Sequence, residues 1–382
     1  MNLRQHALTC LATLGLLCGS ASKADDTPQW QRVHLGSDGH HQYDFPLYAS
    51  QNLSLQQSKV QEVIIVQHGI QRNGDDYFTS AMQLLKNSGR NADEILIIAP
   101  NFPGVPDKNK GFDHMPIWSV QGWSGGDNAV DGAGSENGLS SLTVLDDILL
   151  MLTNKKRYPA LQKITVAGHS GGGQLVHRYA VLNHVDEQIR KSGMDLRYVI
   201  ANPSSYLYFT PERPQGNGFK VYDLAVCPAY DDYRYGMQHM VPYAGTMNGI
   251  ALFQRHLQRQ VTYLAGTADN DPNHRVLDKS CGAEAEGPTR ISRARGYWHY
   301  ESYLAGDQRL PMHQRYEVVD VGHNQELMFG SQCGTQLLFG SKVAPAAGAA
   351  SCNMIALGAG GDKADDGTGN QVRSNDRDED HD

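Results

Sequence analysis

The chain has 382 residues, 40% of them hydrophobic and 19% charged, so it can bury a large core and global disorder is excluded. A formal net charge of −8 argues against a nucleic-acid or anionic-membrane partner. The 40 glycines show no three-residue period, which excludes collagen.

Met1 to Arg4 is a short basic start, Ala7 to Cys18 is an apolar run, and Ser22 and Ala24 place small residues at the −3 and −1 positions of a cleavage. That pattern predicts a secretory signal peptide over 1–24 and a secreted or periplasmic protein, with the run too short to span a bilayer. No later segment reaches 18 apolar residues, so no membrane span is expected. Cleavage leaves Cys227, Cys281, Cys333 and Cys352. An even number in an oxidising compartment predicts two disulfides. Sequential pairing, Cys227 with Cys281 and Cys333 with Cys352, closes the shorter loops. No spacing is C-x-x-C, so neither a zinc site nor another cofactor is implied.

Glu62 to Gln67 is a β-branched run ending at His68-Gly69, and Glu94 to Ala99 is a second run, stopped by Pro100. Lys163–Ala167, Arg197–Ala201, Val261–Ala265 and Tyr316–Val321 repeat the pattern. Continuous apolar runs suit parallel strands covered on both faces. Helical spacing falls between them, at Leu142, Leu145, Leu149 and Leu152 behind a Ser140 N-cap, and at Leu175, Val176, Tyr179 and Ala180. The expected fold is one doubly wound, mostly parallel α/β domain over 25–357. Two stretches interrupt the alternation: a long Gly-rich loop, Asn101 to Gly138, and a Tyr- and Pro-rich segment at about 203–260, read as an inserted cap. The tail from 358 to 382 is acidic, with eight acidic and three basic residues from Asp362 onward. It is read as disordered, with weak calcium binding as the alternative.

Gly168-His169-Ser170-Gly171-Gly172 fits G-x-S-x-G and sits between a strand and a helix. A nucleophile at such a turn needs small neighbours, and its Oγ stands above the sheet at a helix N-terminus that favours developing negative charge. The bland alternative is a glycine turn whose serine only caps the helix. A serine also needs a base and a group to orient that base. His323 follows the last strand, and Asp269 and Asp271 follow the strand before it; Asp269, nearer the strand end, is the expected acid. The oxyanion donors are expected to be the amides of Gly171 and Ile70. His68 and Arg72 are expected to orient the Ile70 loop. Trp118, Trp123 and Tyr206 lie on loops leaving the same sheet edge and are expected to line the substrate site, or else to pack the loops onto the body.

These motifs, namely Val66-Gln-His-Gly69 with Arg72-Asn73, Gly168-His-Ser-Gly-Gly-Gly-Gln174 with Arg178-Tyr-Ala180, Ala201-Asn-Pro-Ser-Ser-Tyr206, the Gly266 loop and Gly322-His323, resemble the α/β-hydrolase superfamily. Within it the chain is similar to a group of secreted fungal and bacterial serine hydrolases. The resemblance implies an α/β-hydrolase fold and a serine hydrolase mechanism. It departs at Gly171, where many relatives carry Ala, which should loosen the turn. The leading expectation is a carboxylic-ester hydrolase acting on a small or polymeric ester. A peptidase or amidase with the same residues, a non-catalytic binding protein and a calcium-dependent surface protein are the alternatives.

Overall fold

The structure, a computed structural model, describes residues 29–36 and 42–357. The expected signal peptide and acidic tail lie outside the described residues. From the N-terminus run β1 (Gln31–Leu35), β2 (Tyr43–Ala49), β3 (Glu62–Gln67), α1 (Gly74–Asn87), β4 (Ile95–Pro100), α2 (Ser141–Leu152), β5 (Lys163–His169) and α3 (Gly171–Leu182). Then come α4 (Asp186–Lys191), β6 (Asp195–Ala201), β7 (Glu212–Gln215), β8 (Gly218–Val221), α5 (Gly249–His256), β9 (Gln260–Gly266) and α6 (Cys281–Glu284). The chain ends with α7 (Arg290–Asp307), β10 (Arg315–Val319), α8 (Gln325–Gly330), α9 (Gln332–Phe339) and β11 (Cys352–Ile355).

Nine strands form one sheet in the order β1-β2-β4-β3-β5-β6-β9-β10-β11. The six central strands, β4 to β10 in that order, are parallel, while β1, β2 and β11 add antiparallel edges. The parallel core consists of the six apolar runs visible in the sequence. Those runs lack alternation because both faces are covered. Val63, Ile65, Leu96 and Val166 point into the layer formed with α2, α3, α5 and α7. Their neighbours Ile64, Val66, Ile97 and Ala167 point into the opposite layer, with Tyr77 and Leu85 of α1, Met328 of α8 and Phe339 of α9. Helix α2 starts where its cap predicts: the Ser140 Oγ accepts from the Leu142 amide, a bond worth about 1 kcal/mol.

The segment at 203–260 is only partly an insertion. Residues 204 to 209 are buried, and β7 and β8 form a separate two-stranded hairpin. Its last part, α5, serves as the crossover between β6 and β9, and Arg255 ties it to α3 through the Val181 and Leu182 carbonyls. The disulfides are Cys227–Cys281, joining this segment to α6, and Cys333–Cys352, joining α9 to β11. No helix among the described residues is long and apolar enough to cross a membrane.

Candidate active site

The carboxyl ends of β5, β6, β9 and β10 lie side by side, and each is followed by residues that meet there. Ser170 sits between β5 and α3 with φ 58° and ψ −121°, a conformation costing about 1–3 kcal/mol for a non-glycine residue. The turn holds because its amide donates to the Ala201 carbonyl and its carbonyl caps α3 through Gln174. Gly172 is what lets the chain pass: a Cβ there would lie 2.3 Å from the Gln67 oxygen and 2.5 Å from that of His68.

His323 follows β10, and its Nε2 lies 2.9 Å from the Ser170 Oγ. Its Nδ1 lies 2.7 Å from Oδ2 of Asp269, which follows β9. A neutral imidazole carrying its proton on Nδ1 donates to the carboxylate and leaves Nε2 to accept from the hydroxyl. Asp271 is elsewhere: its Oδ1 accepts from the Asn273 amide in an Asx turn. Burial alone would raise the Asp269 carboxyl, but the fields of His323 and Arg290 and the His323 hydrogen bond hold it well below the usual carboxylate range. Burial and the Arg290 charge lower the His323 pKa, against the upward pull of Asp269.

The expected oxyanion donors are also neighbours. A Cβ on Gly69 would lie 3.8 Å from the Ser170 Cβ, and one on Gly171 would lie 3.0 Å from the Ile70 nitrogen. Gly171 lets the Ile70 loop come close. As the first residue of α3, Gly171 has no intrahelical acceptor for its amide. The Ile70 loop is held from behind. His68 Nε2 accepts from the Phe102 amide and its Nδ1 donates to the Gly69 carbonyl. Burial pushes its pKa down to about 4, which keeps it in this neutral form. Arg72 bonds the Ile70 carbonyl and pairs with Asp107 at 2.6 Å.

Of the two readings of the aromatic residues, their burial fits packing of the loops onto the body and not a wall of the substrate site. Trp118, Trp123 and Tyr206 are all at 0% exposure, so none offers a face to a substrate. Trp118 donates from its ring nitrogen to the Asp127 carbonyl, Trp123 packs on His68 at 4.5 Å between ring centroids, and Tyr206 stacks on Tyr297 at 4.5 Å. The long loop is folded onto the body by three short 3-10 turns, which turns its indoles inward. Trp123 supports the site indirectly, through His68.

Two residues complete the arrangement: Asn202, which the sequence showed in a motif without a role, and Arg290, which it did not mark. Asn202 follows β6 with φ 43°. Its Oδ1 accepts from the Gly266 amide at 2.8 Å, and its Nδ2 donates to the Gly322 carbonyl at 3.3 Å. One side chain thus braces both the Asp269 and His323 loops. Arg290, at the start of α7, donates to Oδ1 of Asp269 at 3.1 Å. Two histidines flank His323: His169 at 4.6 Å and His274 at 5.0 Å between ring centroids. Burial holds His169 neutral, well below its ordinary pKa.

No family model matches the chain, and no curated protein matches its sequence. Solved structures do match. Poly(aspartic acid) hydrolase-1 from Sphingomonas sp. KT-1 shares 19% identity with a TM-score of 0.55, covering 82% of this chain and 99% of that one. LpqC, a poly(3-hydroxybutyrate) depolymerase from Bordetella parapertussis, shares 22% identity with a TM-score of 0.57, covering 83% and 93%. The fold is the α/β-hydrolase fold.

Proposed function

We propose that the chain is a serine hydrolase, acting on carboxylic esters through an acyl-enzyme. The observation that carries this reading is the unbroken line Ser170–His323–Asp269 at 2.9 and 2.7 Å, on a strained turn beside the Ile70 and Gly171 amides. A serine that only capped α3 would not need that line, and it makes no side-chain cap bond to the helix. The His323 Nε2 takes the Ser170 proton as the Oγ attacks the acyl carbon. The charge that develops on the acyl oxygen falls to the two amides. The proton on Nε2 then passes to the departing alcohol. A water, activated by the same nitrogen, releases the acid and restores Ser170. Asp269 stays ionised throughout and fixes the imidazole tautomer.

The two comparison proteins are named for acting on poly(aspartic acid), a polyamide, and poly(3-hydroxybutyrate), a polyester, so polymers of both linkages are worth testing beside small esters. Export to the periplasm or medium is part of the reading, and the two disulfides support it. The test is labelling by a fluorophosphonate probe, followed by p-nitrophenyl esters of graded chain length and matching anilides. The expected result is Ser170 labelling with ester turnover exceeding anilide turnover. Preference for the anilides would shift the assignment to an amidase. Absence of both labelling and turnover would leave a binding protein on this fold.

A further inference from the structure

Asp269 carries two partners, one on each oxygen, and they compete for its charge. Oδ2 faces the His323 Nδ1 at 2.7 Å, while Oδ1 receives the Arg290 Nη1 at 3.1 Å. Arg290 is not a surface residue leaning in. It is 2% exposed, and its other nitrogens are also engaged: Nε donates to the Ser204 Oγ at 3.0 Å and Nη2 to the Val276 carbonyl at 2.9 Å. Those contacts span the ends of β6 and β9 and fix the guanidinium in one orientation. The carboxylate is held twice more through its backbone, since the Asp269 amide donates to the Gly266 carbonyl and its carbonyl accepts from the Ile291 amide.

The consequence follows from counting charge. A buried Asp–His pair without a fixed cation becomes neutral when the imidazole gains a proton, so protonation is favoured. Here the Asp269–Arg290 pair is already neutral, and a proton on His323 adds a net positive charge to a dry site. The other groups facing His323 do not offset it. His169 and His274 flank the ring, His274 pulls the His323 pKa in the same downward direction as Arg290, and the Ser170 hydroxyl on Nε2 is neutral. Asp269 is the carboxylate whose charge acts on His323; Asp271, which acts on Arg290, belongs to an exposed turn.

Resting on the hydrolase reading, we propose that Arg290 is a positioning residue: it clamps the outer oxygen of Asp269, leaves the inner one to His323, and keeps the base unprotonated at acid pH. It touches neither substrate nor reacting atoms. The burial and Arg290 field that lower the His323 pKa agree in direction. Because the two groups titrate as a pair, the quantity to read is the pair's proton uptake.

The experiment measures the acid limb of kcat/KM on p-nitrophenyl butyrate, followed at the isosbestic wavelength of p-nitrophenol, for the wild type, Arg290→Lys and Arg290→Met. In parallel, the His323 imidazole C–H resonances are titrated by NMR, assigned by comparison with His323→Gln. The wild-type limb and resonance should titrate below the ordinary imidazole value of 6.5. Arg290→Met should move both upward by about one pH unit, and Arg290→Lys, which keeps the charge, should stay with the wild type. A structural role alone would lower kcat and melting temperature in Arg290→Met with the limb unmoved, and that result overturns the proposal. A wild-type value at or above 6.5 also overturns it, and this arm decides should Arg290→Met fold poorly. If the wild type neither turns over ester nor labels at Ser170, the hydrolase reading fails. The NMR titration still reports whether Arg290 sets the charge on His323.

Discussion

The two halves of the site are built in opposite ways. The nucleophile half is continuous in sequence: β5, Ser170, the glycines and α3 are consecutive, and the strained turn is enforced by backbone packing against the ends of the neighbouring strands β3 and β6. The acid–base half is assembled from distant parts: Asp269 and His323 are 54 residues apart, and the side chains that hold them, Asn202 and Arg290, come from two further segments. The continuous half therefore tolerates almost no added atom. The dispersed half depends on side-chain bonds, which weaken by degrees when one is lost.

The largest effect belongs to the continuous half. Ser170→Ala should remove probe labelling and cut ester turnover by about four orders of magnitude or more, with the melting temperature close to wild type. Labelling that persists at another serine would break the assignment. Next to it, Gly172→Ala should damage folding itself, because its methyl would meet two backbone oxygens, that of Gln67 at 2.3 Å and that of His68 at 2.5 Å. Gly171→Ala should be milder, with the Ile70 nitrogen at 3.0 Å able to shift slightly. The expected order is a large loss of expression or melting temperature for Gly172→Ala, and a fall in kcat with modest destabilisation for Gly171→Ala. The reverse order would mean that the Ile70 loop, and not the β3 end, sets the turn.

For the dispersed half, Asp269→Asn should cost about 10⁴-fold in kcat, since an amide partner fixes the wrong imidazole tautomer. Asp271→Asn should cost little, because the amide oxygen of Asn can still accept from the Asn273 amide. Circular dichroism on both variants separates lost chemistry from lost structure. Equal losses would place the acid role on the loop and not on one carboxylate.

The same contrast explains what the sequence made legible. The six parallel strands are readable because burial on both faces makes them continuous apolar runs, and the Ser170 turn is readable because the residues it requires are consecutive in the chain. The edge strands are not: β2 carries Pro46, which lacks an amide for the ladder, and β11 is four residues long with none of them buried. The order Ser, Asp, His along the chain pointed to Asp269 and His323; Asn202 lay in a recognised motif but without a role, and nothing near Arg290 marks it. A buried arginine looks like any other until the fold brings its carboxylate. Trp118 and Trp123 were ambiguous for a related reason: an aromatic residue in a long loop serves as a wall or as an anchor according to how that loop folds, and here the 3-10 turns bury both.

The smallest expected effect tests a carboxyl that no cation directly pairs. Glu286, between α6 and α7, is 1% exposed; its Oε2 accepts from the Tyr206 amide, and its Oε1 is buried without a hydrogen-bond partner. Burial raises its pKa to about 8, against the weaker downward pull of Arg293, the Tyr206 hydrogen bond and Arg213. The unfolded chain releases this proton near the ordinary value of 4.5, whereas the folded chain retains it to about 8. Between those values the unfolded state binds fewer protons, so this group lowers stability as pH rises and its contribution levels off above the folded value. Asp269 behaves oppositely: its folded pKa is depressed, so its stabilisation is present above the unfolded value and is lost only as pH falls through the folded one. Glu286→Gln keeps an acceptor for the Tyr206 amide and cannot ionise. Its melting temperature should match the wild type at pH 5 and exceed it by about 2–4 °C at pH 8.5. A variant whose difference from the wild type is the same at both pH values would show that Glu286 does not hold its proton in the fold, and would place a compensating positive charge against it.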